Sequence, residues 1–169
     1  MRKTRKKKRS RTLGIIAITT FIIGLSIFYF YSAEQSKIRG FDFGNEIQDI
    51  QNELKVEQNT FYSKINMFNE GIISKKEFLL YSEEKHLIKM EIILEKYNKL
   101  MPPDAFVSSV KLFRMSTDSQ LESDKHLIKW IEYEDGAEKI RSEELLQQSF
   151  EYEMAALSLF DEAKLQKKP

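Results

Sequence analysis

Cysteine is absent from this sequence, and its absence removes several classes of protein at once. A disulfide scaffold, a catalytic thiol and a cysteine-ligated metal centre all need this residue. The lipid-bearing cysteine of a bacterial lipoprotein is excluded as well. Glycine and proline are scarce, with six and three residues. We therefore expect the few that occur to mark the ends of helices.

Acidic residues are missing from the beginning of the chain. Before Glu34 the only charged side chains are eight basic ones: Arg2, Lys3, Arg5, Lys6, Lys7, Lys8, Arg9 and Arg11. Of the 27 basic residues, 19 remain for the rest of the chain against 26 acidic ones, a balance of −7. An acidic domain disfavours nucleic-acid binding, so we expect no nucleic-acid partner.

Charge is also missing from residues 13–31, a run of 19 residues with the sequence LGIIAITTFIIGLSIFYFY. About 20 apolar residues cross the hydrocarbon core of a bilayer as a helix. The sequence therefore predicts a transmembrane signal-anchor helix over 13–31. The positive-inside rule places the basic tail, residues 1–12, in the cytoplasm and the remaining domain outside. We expect the tail to contact anionic lipid headgroups. A cleavable signal peptide is the alternative.

Beyond a linker over residues 32–44, apolar residues recur at helical spacing, which predicts four helices over about 45–70, 75–100, 104–135 and 137–164. Ser74 and Glu77 have the spacing of a capping box at the start of the second helix, with Ile73 stapled onto Phe78. Gly71, Pro102-Pro103 and Gly136 are predicted to end the first three helices. In the second helix we expect a core row of Leu80, Leu87, Leu94 and Met101, with Met90 and Tyr97 beside it and with Ile88, Ile92 and Ile93 widening the stripe.

Short connections between amphipathic helices favour an all-α fold, an antiparallel up-down-up-down four-helix bundle over residues 45–166. In the fourth helix, Ser142, Ser149, Ala156 and Ala163 recur every seven residues, and small side chains there permit close helix approach. A long coiled-coil oligomer is the alternative.

The two histidines lie in the same pentapeptide, His86 within KHLIK and His126 within KHLIK. Glu83 precedes His86 by three residues, as in a di-iron bundle, but Ser123 stands at the matching position before His126. Folding the second and third helices back to back also separates the histidines along the axis. We therefore predict no metal, no cofactor and no catalytic residues, and we expect the protein not to be an enzyme.

Polar residues interrupt the apolar row of the third helix, which predicts a polar layer near mid-height of the bundle. An ideal helix aims Asp124 and its neighbours inward, where a carboxylate needs partners. Two interpretations remain open: a hydrogen-bond network that fixes helix register, or a small-molecule pocket. The residues assigned to this layer as ligand-binding candidates are Tyr81, Lys85, Thr117, Gln120, Asp124, Ser149 and Glu153.

The opposite face of the third helix predicts a second candidate site, a partner surface. Met115, His126, Trp130 and Tyr133 fall on that face and are expected to be exposed. Tryptophan and tyrosine are residue types that anchor protein interfaces. Coverage by the linker or by the bilayer surface is the other interpretation.

One anchor followed by a four-helix extracytoplasmic bundle loosely resembles the ligand-binding regions of bacterial chemoreceptors and histidine kinases. Those proteins return to the cytoplasm through a second membrane helix, for which this sequence has no candidate. The function expected from the sequence is a membrane-tethered interaction or structural module at the cell envelope, with a protein partner or a second copy of the chain. A ligand-binding, sensor-like bundle is the alternative, and a metal-dependent enzyme is a third hypothesis.

Overall fold

In the computed structural model, the described residues are 43–165, and they are all-helical. The predicted tail, the predicted membrane helix over 13–31 and residues 32–42 of the predicted linker lie outside them. No helix within 43–165 is long and apolar enough to cross a membrane. Residues 43–165 belong to one compact unit with its own core.

Four helices follow one another along the described residues. Helix α1 covers 43–69. Helix α2 consists of an α-helical segment Lys75–Tyr81, a π-helical turn Ser82–His86 and a second α-helical segment Leu87–Lys99. A 3-10 turn, Asp104–Phe106, leads into α3, Val107–Tyr133, and α4 covers Gly136–Leu165. No strand occurs in this part of the chain.

Local signals account for most of the helix ends. The capping box at Ser74 is confirmed: its hydroxyl accepts from the Glu77 amide, and the Glu77 carboxylate accepts from the Ser74 amide. Ile73 packs in the same apolar cluster as Phe78, as the predicted staple requires. Gly71 follows α1 with a φ of +72°, a conformation that favours glycine.

Two predicted boundaries differ from the structure. Gly136 does not cap α3: Glu134 takes the left-handed conformation with φ 60°, and Gly136 is already the first residue of α4. The Asp135 side chain accepts from the Ala137 amide and begins α4 there. Residues 43 and 44, predicted as linker, belong to α1, because Phe43 is buried against Phe106 with ring centroids 5.4 Å apart.

Side-chain contacts show how neighbouring helices run. Gln51 and Glu57 of α1 meet Tyr97 and His86 of α2, so the residue numbers rise in one helix as they fall in the other. The same relation holds between α2 and α3, where His86 meets Asp124 and Asn98 meets Arg114. It holds again between α3 and α4, which are joined by serine pairs. Each helix is therefore antiparallel to the one before it.

The apolar core consists of two clusters. The larger one joins residues of all four helices, among them Ile47, Met90, Phe113 and Phe160. The smaller cluster contains Phe61, Phe78, Ile128 and Ile131. In α1, α2 and α3, the positions between the two clusters are occupied by polar side chains, so the predicted polar layer is present.

The predicted core stripe of α2 is only partly correct: Met90, Ile93 and Tyr97 are buried and Leu87 and Leu94 pack against the core, but the two ends of the row do not. Leu80 is 51% exposed and Met101 is 92% exposed. Side chains at four-residue intervals face the interior instead: Phe78, Ser82, His86 and Met90. A regular α-helix would drift by about 40° at each such step, since it has 3.6 residues per turn. The wider π turn Ser82–His86 removes part of that drift and keeps His86 on the buried face.

The predicted small-residue row of α4 is confirmed as its core face. Ser142, Ser149, Ala156 and Ala163 are all buried. Ser149 Oγ donates to the Ser116 carbonyl at 2.9 Å, and Ser123 Oγ donates to the Ser142 carbonyl at 2.8 Å. These two contacts set the register between α3 and α4 and bring the helices close together.

Candidate functional site

The centre of the polar layer is His86, which is fully buried. Its Nδ1 lies 2.9 Å from Glu57 Oε1, and its Nε2 lies 3.0 Å from Asp124 Oδ2. Three helices therefore meet at one imidazole ring, and each carboxylate is itself about 2% exposed. We call these three residues the buried triad.

Further polar groups satisfy the remaining oxygens of the triad. Gln120 Nε2 donates to Asp124 Oδ1 at 2.9 Å. On the other side, Lys89 Nζ lies 3.0 Å from Glu57 Oε2, and the Tyr81 hydroxyl donates to Glu57 Oε1 at 3.4 Å. Within the described residues, no buried side-chain nitrogen or oxygen lacks a partner. Every buried polar side-chain atom of this network therefore has a partner.

Both nitrogens of the His86 ring contact carboxylate oxygens. Burial raises the pKa of Asp124, while the hydrogen bonds and charge of His86 oppose that effect. Partial burial, together with the Glu57 charge, raises the pKa of Tyr81 to about 12.

An aromatic ring holds the imidazole on its face. Phe61 of α1 stacks on His86 with ring centroids 3.7 Å apart and an interplanar angle of 1°. The π turn Ser82–His86 contributes to this contact, because it directs His86 toward the core, where a regular α-helix would not place it.

The predicted ligand-binding candidates are only partly brought together. Asp124, Gln120 and Tyr81 belong to the network, and Thr117 is buried but donates to the Phe113 carbonyl of its own helix. Lys85 is exposed and Glu153 is half-buried. Ser149 was expected level with Asp124 but meets Ser116 instead. A ligand role for these residues stays a prediction.

The central position of His86 in the layer was not predicted from the sequence. The signal that could have identified it is the four-residue spacing of Phe78, Ser82, His86 and Met90, together with Glu57 in the apolar gap of α1. An ideal helix does not support that spacing, so only the π turn reveals it. His126 lies in a separate contact, with Glu138 of α4.

Metal binding finds no support in this geometry. The described residues contain no group of three or more histidine, aspartate or glutamate side chains arranged to hold a metal ion. The triad is linear, with both histidine nitrogens already occupied by carboxylates. Because the ring is fully buried, an external substrate cannot reach it. What the arrangement can do is fix the register of three helices.

Comparison with known protein families, characterised proteins and solved structures finds no match to this chain.

The predicted partner surface on α3 is largely covered. Tyr133 is 68% exposed, as expected, but Met115, His126 and Trp130 are half-buried. Trp130 packs against the smaller core cluster, and Lys139 of α4 lies 5.0 Å from its ring centroid. The expected exposure is therefore wrong for three of the four residues, and α4 packs beside two of them, His126 and Trp130.

A cleft between α1 and α2 reaches the buried triad from outside. Its volume is about 360 Å³, and it is lined by Asn52, Glu53, Val56, Glu57, Lys89, Ile92 and Ile93. Val56 and Ile92 are 65% and 55% exposed, so its walls are apolar and open. The charged side chains in the cleft are Glu53, Glu57 and Lys89, the last two of which pair with each other.

The outward face of α4 carries large apolar side chains. Phe150, Met154 and Leu157 are 55%, 68% and 43% exposed, and their spacing of four and three residues places them on one side of the helix. We call these three residues the α4 outer row. Helix α4 thus has two apolar faces, a buried one of small residues and an exposed one of large residues.

Proposed function

We propose that this protein is a single-pass membrane protein that presents an antiparallel, up-down-up-down four-helix bundle outside the cytoplasm as a protein-interaction module. The uncharged run over 13–31 supports the anchor. The eight basic residues before it support a cytoplasmic N-terminus in contact with anionic headgroups. The all-helical bundle of 43–165 supports the domain.

The observation that carries the interaction role is the α4 outer row. Isolated exposed apolar residues are common on proteins, but three large ones in a continuous row are typical of a contact surface. The fold does not require them there, since Ser149, Ala156 and Ala163 already pack α4 onto the core. A partner that covered Phe150, Met154 and Leu157 would remove their apolar surface from water.

Photo-crosslinking in the native cell tests this role. A photo-reactive amino acid at position 154 should give discrete protein adducts. The same amino acid at position 76, an exposed site on α2, should give none. Absence of adducts from position 154, with the protein correctly inserted in the membrane, contradicts the proposal.

The lack of cysteine makes the topology directly measurable. We expect Ser158→Cys, on the domain, to react with a membrane-impermeant maleimide in intact cells. Ser10→Cys, in the basic tail, should react only after the membrane is opened. The reverse pattern, or labelling of neither site in a membrane fraction, contradicts the proposed orientation.

A second candidate function is small-molecule binding in the α1/α2 cleft. The observation in its favour is that the cleft joins exposed apolar walls to a buried carboxylate, Glu57. It predicts that some compound in a small-molecule library raises the melting temperature of the protein. Substituting Ile92→Arg, which fills the cleft from its rim, should remove that shift. We assign no catalytic role, metal or cofactor to the chain.

A further inference from the structure

The charge around the α4 outer row is of one sign along its own helix. Residues 142–163 contain no lysine, arginine or histidine. They contain six carboxylates: Glu143, Glu144, Glu151, Glu153, Asp161 and Glu162. Five of these are exposed and Glu153 is half-buried. The α4 segment that carries the row is therefore acidic for two or three helical turns on each side of Met154.

The basic residues that compensate this charge come from the ends of the helix. Arg141 pairs with Glu144 at 3.2 Å and Lys139 with Glu143 at 3.9 Å, while Lys164 pairs with Asp161 at 3.8 Å. These are exposed contacts between neighbours on one helix, which contribute little and exchange readily with other cations. The middle of the row has no such basic neighbour on α4.

We infer that the partner of the α4 outer row is a cationic amphipathic helix of another protein. This inference rests on the proposed interaction role and names the chemistry of the partner. Such a helix would place apolar side chains, spaced three and four residues apart, against Phe150, Met154 and Leu157. Its lysine and arginine side chains would flank that contact and meet Glu143, Glu151 and Asp161.

The acidic charge of α4 favours this partner over a second copy of the chain and over an anionic lipid surface. A second copy in parallel register would place each of the six carboxylates beside its own counterpart. An antiparallel copy would still bring the same uniformly acidic segments together. An anionic lipid surface would also be repelled. A cationic helix alone matches both the apolar row and its surroundings.

A binding assay on the full chain in nanodiscs of zwitterionic lipid tests the charge requirement. The probe is a fluorescent 21-residue amphipathic peptide with leucine on one face and lysine on the other. The control peptide has glutamate in place of every lysine. We expect the lysine peptide to bind to chain-loaded but not to empty nanodiscs, and the glutamate peptide to bind at least about tenfold more weakly. Equal affinities, or no binding of the lysine peptide, overturn the inference.

Variants separate binding at the row from general attraction to an acidic protein. The double variant Phe150→Ser with Leu157→Ser keeps every charge, and it should weaken binding of the lysine peptide about tenfold. The matched control is Ile88→Ser with Ile92→Ser, which removes two exposed apolar side chains from α2 instead. It should leave the affinity unchanged. If both double variants behave alike, the row is not the docking site.

The last part of the test is to identify the adducts formed at position 154. If mass spectrometry places them on a segment with apolar residues at helical spacing and several flanking lysines or arginines, the inference stands. Adducts on an acidic or neutral protein segment, or on a second copy of this chain, overturn the inference and leave the interaction role intact. Adducts on lipid alone overturn both. Absence of any adduct instead removes the interaction role itself.

Discussion

The imidazole of His86 and the ring of Phe61 lie parallel, with 3.7 Å between their centroids. This contact joins the polar layer to the smaller apolar cluster, because Phe61 belongs to that cluster. It also covers one face of the His86 ring, whose two nitrogens contact Glu57 and Asp124. The polar layer is therefore packed as part of the core.

Removing the histidine should be strongly destabilising. In His86→Leu, two buried carboxylates lose the ring that contacts both of them, and removing one partner of a buried pair typically costs about 3–5 kcal/mol. Urea unfolding of the fragment 43–169 measures the change. His126→Leu is the matched control, because His126 contacts one partly exposed carboxylate, and it should change the stability by less than about 1 kcal/mol.

Neutralising the carboxylates should restore much of that loss. We expect the triple variant His86→Leu, Glu57→Gln, Asp124→Asn to be more stable than His86→Leu alone, because it no longer buries unpaired charge. If the triple variant is as unstable as the single one, the triad acts through packing against Phe61 and not through charge.

Asp124 should make stability depend on pH. Burial raises its pKa in the folded state above the ordinary value of 3.8. A group with a raised pKa contributes stability that is full below the unfolded pKa and is lost as pH rises through the folded pKa. Relative to Asp124→Asn, the wild-type protein should therefore lose stability on going from about pH 4 to pH 7. Urea unfolding across that range tests the sign.

The control for this pH dependence is Asp118→Asn, an exposed position on the same helix. The stability difference between this variant and the wild-type protein should stay flat over the same range. A wild-type protein that gains stability over Asp124→Asn as pH rises would show that the ionised carboxylate is favoured by folding.

The left-handed residue at the end of α3 offers a stabilising substitution. Glu134 has φ 60°, a conformation that costs an L side chain roughly 1–2 kcal/mol and glycine nothing. Part of this gain is offset by the flexibility of glycine in the unfolded chain. We expect Glu134→Gly to raise the free energy of unfolding by about 0.5–1 kcal/mol. Gly71→Ala, at φ 72°, should lower it by about 1 kcal/mol.

Because α3 and α4 pack closely, replacing a buried small residue of α4 by a larger one should lower the stability of the protein. Ala156 is fully buried, and Ala156→Leu forces extra atoms into the interface, at a cost of about 1–3 kcal/mol. Its neighbour Ala155 is exposed, so Ala155→Leu should stay within about 0.5 kcal/mol of the wild-type stability. Thermal unfolding of the two variants gives the comparison. Equal melting temperatures would mean that α4 is not closely packed at position 156.

Some features of the fold could be predicted because they depend on neighbouring residues along the chain. The capping box at Ser74, the glycine after α1 and the small-residue row of α4 are of this kind. Helical periodicity likewise located four helices with ends within a few residues of those observed. The polar layer was predictable in outline, since Asp124 and Glu57 interrupt otherwise apolar rows.

The partners within that layer depended on how the helices sit against one another. Pairing residues that lie at equal distances from each turn between helices predicted that Asp124 lies beside Tyr81 and Ser149. In the structure Asp124 contacts His86, and Ser149 contacts Ser116. A shift of a few residues in register changes every such pairing, and each residue shifts a helix by about 1.5 Å. Sequence spacing alone does not fix that shift.

The sequence by itself determined an uncharged segment behind a basic one, an acidic all-helical domain, and the places where its helices begin and end, because each follows from composition and local spacing. Only the tertiary structure decided which face of α2 is buried, since the π turn Ser82–His86 rotates His86 inward. It also decided that Trp130 is covered and the α4 outer row is not. Both outcomes depend on contacts between residues far apart in the chain.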